Sequence, residues 1–269
     1  MPTATATPTL TLRTVIATRY VTPLREGGSL PGLLEADDDG LYVVKFHAAG
    51  QGPKALVAEL IAGELGRALG LAVPEIVLVE LAAALGRAEP DPEIQELLVR
   101  SAGLDLGLDF LPGALPFDPA ATDRSGSDRP DPDLAADIVW FDAFITNVDR
   151  TAKNVNLLVW HRRLWLIDHG AALYIHHTWR EPAAHARRPF ERIADHVLLP
   201  YAGSIAEADA RLAPLVDESL LRSTVEAVPD AWLGAGAADQ RAAYVAYLLG
   251  RLDAPRAFVE EAERARTRS

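Results

Sequence analysis

The sequence predicts an α+β fold, with a mostly antiparallel sheet before about residue 115 and a mainly α-helical half after it. Three observations carry this. Residues 11–24 (TLRTVIATRYVTPL), 41–47 (LYVVKFH) and 75–81 (EIVLVEL) are β-rich runs, the first of them alternating, bounded by Gly, Pro and Asp. Residues 144–170, FITNVDRTAKNVNLLVWHRRLWLIDHG, leave an apolar run for a polar turn and then two short apolar segments, a pattern of helix, loop and hairpin. The closing third carries VPDAWL, RAAYVAYLLGRL and RAFVEEAERAR, helical stretches that would pack on one another.

Taken in order, residues 1–10 form a Thr/Ala/Pro tract expected to stay loose. The strand of residues 11–24 runs into REGGSLPG, where Gly27, Gly28 and Ser29 make a flexible turn before a second strand, LLEAD. That turn matches neither G-x-x-x-x-G-K-[ST] nor G-x-G-x-x-G, so a plain hairpin and a phosphate loop both remain open. Lys45 follows among β-formers, either as a surface lysine or as an inward one reaching a phosphate. Val44 and Phe46 lie on the opposite face, and if that face is core, Lys45 faces a cleft.

Pro53 suits a first helical turn, and KALVAELIAGELGRALG has helical periodicity ending at Gly70. Glu59 and Glu64 on this helix are both candidates to pair with Lys45; the commoner fate of a glutamate is a solvated helix face. DPEIQELLVRSA reads as a short helix opened by Pro92, and GLDLGLDFLPGALPF as a strand broken at Pro112. Residues 116–133, rich in Asp, Pro, Ser and Gly, read as a mobile surface loop.

All three asparagines, Asn147, Asn154 and Asn156, fall within ten residues. The loop they occupy presents Asp149 and, five positions on, Asn154, and the hairpin after it ends on Asp168. A carboxylate that accepts a hydroxyl proton, an amide oxygen and a second carboxylate can hold a substrate and one or two Mg²⁺. Of the 26 Lys and Arg residues only three are lysine, and two of these, Lys45 and Lys153, stand where a compact ammonium would serve a phosphate oxygen.

These residues resemble the catalytic and metal-binding loops of the HipA-like kinases, which carry D-x-H-x-K-N and then a strand ending in Asp. Asp149, Lys153, Asn154 and Asp168 match; Thr151 stands where histidine is usual, a departure that bears on loop geometry. The likeness runs through GLYVVKF and AELIAGELGRALGLAVP, over roughly residues 20–200.

The resemblance implies a two-lobed protein-kinase-like fold in a single domain over 11–269. Its N-lobe, 11–115, would be an antiparallel sheet with one helix, and its C-lobe, 134–269, mainly helical. It also implies ATP- and Mg²⁺-dependent transfer to a protein Ser or Thr, with a small-molecule or lipid kinase, or a non-catalytic nucleotide-binding regulatory protein, as alternatives. On this reading Asp149 takes the acceptor proton, Lys153 offsets phosphoryl charge, and Asn154 and Asp168 hold the metal. Lys45 clamps the nucleotide with Glu59, placed like the family's helix-start glutamate, behind it. Gly27, Gly28 and Ser29 cover its phosphates, and backbone groups of Asp109, Phe110 and Leu111 hold the adenine edge.

Composition limits the rest. A net charge of −12 and a pI near 5.0 speak against general nucleic-acid binding and against an anionic membrane surface. The absence of cysteine excludes disulfides, thiolate catalysis and Cys-ligated zinc. No familiar ligand spacing links the histidines. No signal segment or membrane span is legible, and a cytoplasmic location is the expectation. The partners expected are a nucleotide and an unidentified protein or small-molecule acceptor.

Overall fold

The computed structural model describes residues 10–24, 30–50, 52–87, 89–125 and 129–268. The chain opens with β1 (Thr14–Pro23), β2 (Gly32–Ala36), β3 (Leu41–Lys45), α1 (Pro53–Ala68), β4 (Ile76–Leu81), α2 (Ala83–Arg87), α3 (Pro92–Arg100) and β5 (Gly103–Asp109). There follow β6 (Leu115–Pro116), α4 (Pro119–Ser125), α5 (Pro132–Phe144), β7 (Leu157–Trp160) and β8 (Arg163–Leu166). The remainder holds α6 (Pro182–Ala186), α7 (Ile205–Leu212), α8 (Glu218–Glu226), α9 (Asp230–Leu233), α10 (Ala237–Leu252) and α11 (Ala257–Arg266), joined through short 3₁₀ turns.

Five strands close into a barrel in the order β1-β2-β3-β5-β4. Four of its pairings are antiparallel, as expected, but the fifth is parallel: Thr14, Val15 and Ile16 of β1 lie beside Leu78, Val79 and Glu80 of β4. Gly107 on β5 permits the tight wall there, since a Cβ on it would meet Val79 and Val77 at 2.7 and 2.9 Å. The barrel interior is a cluster of Val15, Leu34, Tyr42, Val44, Phe46 and Val79.

The one helix that the resemblance implies before residue 115, and the two that the residues themselves suggest, are corrected to three. Helix α3 starts as its sequence suggests, with Asp91 accepting from the Glu93 and Ile94 amides and Pro92 in the first turn. The short α2 packs against it through Gly86, where a Cβ would stand 2.9 Å from Leu98 and Val99. Part of the stretch expected as a loop over 116–133 is helical. Its polar composition hides α4, whose first turn is capped by Asp118, accepting from Ala121 N at 3.0 Å. Phe117 and Thr122 are buried there, and the Tyr201 hydroxyl donates to Asp123 at 2.8 Å. A few contacts anchor residues 117–123, within a stretch whose average hydrophobicity reads as loop.

Helix α1 is buried on nearly every side. It packs on β4 and β5 and, from the other direction, on α8 and α9. Gly63 lets Ile76 approach its backbone. A second and larger core joins α1 to α5 and the C-terminal helices. Arg251 of α10, buried, donates to the carbonyls of Ala143 and Phe144 at 2.8 and 2.7 Å and so caps the end of α5; its guanidinium lies 4.8 Å over the Phe258 ring. No helix among the described residues is long and apolar enough to cross a membrane.

One buried titratable group makes the fold sensitive to acid. His176 is fully buried against Tyr244, whose hydroxyl is 3.0 Å from its Nδ1, and its Nε2 has no partner among the described residues. Burial, with His177 and Lys54 nearby, pushes its pKa down to about 3. Between that value and the ordinary 6.5 the unfolded chain binds a proton that the native chain refuses, so this contribution to stability is complete above pH 6.5 and is lost as pH falls. Urea unfolding of the wild type should lose roughly 2 kcal/mol more than His176→Gln does between pH 7 and pH 5. Equal losses in the two proteins would show that His176 takes up its proton in the folded protein as readily as in the unfolded chain.

Candidate active site

Strand β3 ends at Lys45, and the alternation that buries Val44 in the barrel turns Lys45 the other way, into a cleft of about 960 Å³. Its Nζ is 2.6 Å from Glu59 Oε2 of α1 and 2.6 Å from Asp168 Oδ1. Burial alone would push the ammonium pKa down, but the two carboxylates outweigh it and hold it above its usual range. Burial would likewise raise Glu59, and Lys45 outweighs it, so Glu59 stays ionised and below the ordinary carboxylate range. Glu64, the competing candidate, instead lies 3.4 Å from Arg67.

The loop after α5 brings Asp149 to the same cleft. Asn154 Nδ2 donates to Asp149 Oδ2 at 2.7 Å, Asn156 Nδ2 to the Asp149 carbonyl at 3.1 Å, and the Asp149 amide to Asn147 Oδ1 at 3.1 Å. Thr151 takes its place in this loop without distortion: its Oγ1 accepts from the amides of Lys153 and Asn154, both at 3.3 Å, and forms the turn that presents Asn154. Partial burial raises the Asp149 pKa, and the like charge of Asp168 adds to it, against the hydrogen bond from Asn154.

Beneath the loop lies a buried polar network that sequence reasoning missed. The Asp142 carboxylate, wholly buried in α5, accepts from Arg150 Nε at 2.5 Å, His196 Nε2 at 2.9 Å and Asn147 Nδ2 at 3.0 Å. Arg150 also donates to the Asn156 carbonyl and, at 3.3 Å, to that of Ile167, tying the loop to the segment that carries Asp168. Burial would raise the Asp142 pKa; Arg150 and His196 outweigh it and hold the group ionised. The signal was a lone carboxylate inside the apolar run DIVWFDAFI, which must find a cation. Thr146, Asn156 and Asp168 have positive φ values of 53, 49 and 56°, backbone strain collected around the cleft.

The sequence-derived residues are brought together in part. Lys45, Asp149, Asn154 and Asp168 line the cleft, as do Asp109, Phe110 and Leu111, with Glu59 behind Lys45. Of the backbone amides in the segment expected at the adenine edge, two are already used: Asp109 N donates to Glu75 O and Phe110 N to Leu41 O, both at 2.9 Å. That leaves the Leu111 amide. Lys153 is exposed and does not line the cleft, and its ammonium has no partner among the described residues. Gly27, Gly28 and Ser29 lie outside the described residues.

The cleft suits a nucleotide with a hard cation. Its volume lies at the upper end of small-molecule sites, about 300–1,000 Å³, and Val43, Leu56, Leu108, Leu157 and Ile167 give it apolar walls. Asp168 Oδ2 and the Asn154 amide oxygen carry no hydrogen bond among the described residues, and both are the oxygen donors that Mg²⁺-like ions prefer.

Comparison with known families matches residues 18–253 to the HipA-like kinases. With nearly nine-tenths of its length matched, the chain belongs to that family. No functionally curated protein matches it in sequence. Among solved structures it is similar to the Helicobacter pylori proinflammatory kinase CtkA at 13% identity, with a TM-score of 0.55, over 96% of this chain and 99% of that one. At that identity the likeness is one of fold. The Golgi casein kinase is 15% identical with a TM-score of 0.43, over 92% of this chain and 75% of that one. A second structure of that kinase, with Mn/ADP bound, gives 15% and 0.44 over 93% and 75%.

Proposed function

We propose that the chain is a two-lobed, ATP- and Mg²⁺-dependent kinase that phosphorylates a Ser or Thr hydroxyl of a protein. The observation that carries the reading is the convergence on one cleft of two hydrogen-bonded sets, Lys45 with Glu59 and Asp168, and Asp149 with Asn154. A buried core of the barrel's own supports an N-terminal lobe, 11–115, and the larger core, which ties α1 to α5 and the C-terminal helices, supports a second lobe, 134–269, joined to it within one domain.

Bound ATP with its cation supplies the phosphoryl group and the charge neutralisation that transfer needs. The chain's residues orient and stabilise. Lys45, held by Glu59, presents its ammonium to phosphate oxygens. Asn154 and Asp168 offer the metal their free oxygens. Asp149, fixed by Asn154 at one oxygen, accepts the acceptor's hydroxyl proton at the other. The exposed Lys153 offsets charge on the phosphoryl group, Gly27, Gly28 and Ser29 cover the phosphates, and the Leu111 amide meets the adenine edge. Thr151 supports an active loop over a non-catalytic one, since it preserves the turn before Asn154.

Two measurements test this. Labelled ATP with Mg²⁺ should give phosphoryl transfer, to the chain itself or to water where no acceptor is supplied. At about 100 Kd, MgATP should raise the wild-type Tm by roughly 5–10 °C, and Asp168→Ala should abolish the rise. An undiminished shift in Asp168→Ala would remove that residue from the metal site.

A further inference from the structure

At the back of the cleft three polar atoms are buried without hydrogen bonds among the described residues: Glu59 Oε1 and both ring nitrogens of His169. The His169 ring is fully buried, packed edge-on against Phe141 at 6.3 Å. Its Nδ1 lies 3.5 Å from Glu59 Oε1, well beyond the roughly 2.7–2.9 Å of a charge-assisted hydrogen bond. A phenylalanine would fill such a site without desolvating two nitrogens. Histidine there needs a use.

We propose that His169 is a positioning residue for phosphoryl transfer: with its proton on Nδ1 it bonds Glu59 Oε1 in the nucleotide-loaded protein and fixes the direction of Lys45. The inference rests on the nucleotide reading of the cleft. Lys45 is shared between two carboxylates from distant parts of the chain, Glu59 on α1 and Asp168 beyond β8. A ligand that engages Asp168 weakens that half of the arrangement and leaves Lys45 to Glu59. The orientation of Glu59 then decides where the ammonium points. Glu59 has one oxygen on Lys45, and its other oxygen faces His169 Nδ1 at 3.5 Å, on the residue joined to Asp168 by a single peptide bond. The contact therefore closes a ring, Asp168 to His169 along the backbone, His169 to Glu59, Glu59 to Lys45 and Lys45 to Asp168. Movement of the Asp168 segment is transmitted to α1 through that ring. A half-ångström shift suffices to form it.

The experiment uses the full chain, MgADP titrated by calorimetry, and three variants. His169→Phe keeps the packing and removes the donor. Asn places its amide donor near the Nδ1 position, and Gln places it near Nε2. A hydrogen bond to a charged group corresponds to roughly ten- to hundred-fold in binding, so His169→Phe is expected to weaken MgADP by about that factor with no loss of Tm in ligand-free protein. His169→Asn should recover most of the affinity and His169→Gln should not. In a Glu59→Ala background the Phe substitution should have no further effect. Three variants that all bind like the wild type, or a loss in His169→Phe that persists undiminished without Glu59, would overturn the proposal and leave a packing ring. A wild type that fails to bind MgADP overturns the nucleotide reading and this inference together, and the wild-type titration alone reveals it.

Discussion

Replacing Asp149 with asparagine is expected to slow phosphoryl transfer by about 10²–10⁴-fold, the usual contribution of a positioned general base, while MgADP affinity stays near that of the wild type. The substitution keeps the shape and the partners of the loop. Asn154 still has an oxygen to meet, and the Asn147 and Asn156 hydrogen bonds involve only the backbone of residue 149. What is lost is a carboxylate made more basic by partial burial and by the neighbouring charge of Asp168. An amide cannot take the acceptor's proton. Single-turnover transfer from labelled ATP, measured beside calorimetric MgADP binding, separates the two effects. A rate within a few-fold of the wild type would assign proton acceptance to another group.

The largest effect on stability is expected from Asp142→Ala. Three donors converge on that carboxylate in a site without solvent exposure. Removing it leaves the Arg150 guanidinium buried with carbonyl partners alone, and breaking a buried pair in this way costs about 3–5 kcal/mol. Domains carry about 5–15 kcal/mol in all, so Tm should fall by roughly 10 °C or more. Arg150→Met should be milder, because a shape-filling apolar side chain leaves Asp142 with His196 and Asn147. Urea unfolding of both variants checks the order; a mild Asp142→Ala would show that water enters the network.

The parts of this molecule that were legible in its sequence are the local ones. The β3 alternation set Val44 and Lys45 on opposite faces, without saying which face was core; the polar turn after α5 announced Asp149 and Asn154; helical spacing offered Glu59 and Glu64 as partners for Lys45. The Glu59 over Glu64 choice came from resemblance, and the geometry agrees, since Glu64 is spent on Arg67. What stayed dark is relational. No periodicity reports that β1 lies parallel to β4, because their pairing joins residues more than 60 positions apart. The Asp142, Arg150 and His196 network draws on three segments, and only the oddity of a carboxylate in an apolar helix hinted at it. The adenine-edge expectation named backbone groups without distinguishing them, and that the Asp109 and Phe110 amides are used within the fold depends on pairing with distant segments. Helix α4 was missed because a composition average cannot see one cap and two buried side chains.

Closure of the barrel also bears on how another chain can recognise this one. Each of its five strands has a neighbour on both sides. Such a sheet offers no outer strand to which a foreign strand could add, and it gives misfolded copies no template for sideways stacking. The small sheet does have margins, but β6 is two residues long with a proline in it, and β8 is four residues long with its Leu166 amide already donating to Ala72. Backbone-to-backbone augmentation therefore has little to grip on the described surface. A protein that docks there must be read through side chains and loops, which makes its recognition a matter of surface chemistry that can diverge quickly while the barrel stays unchanged.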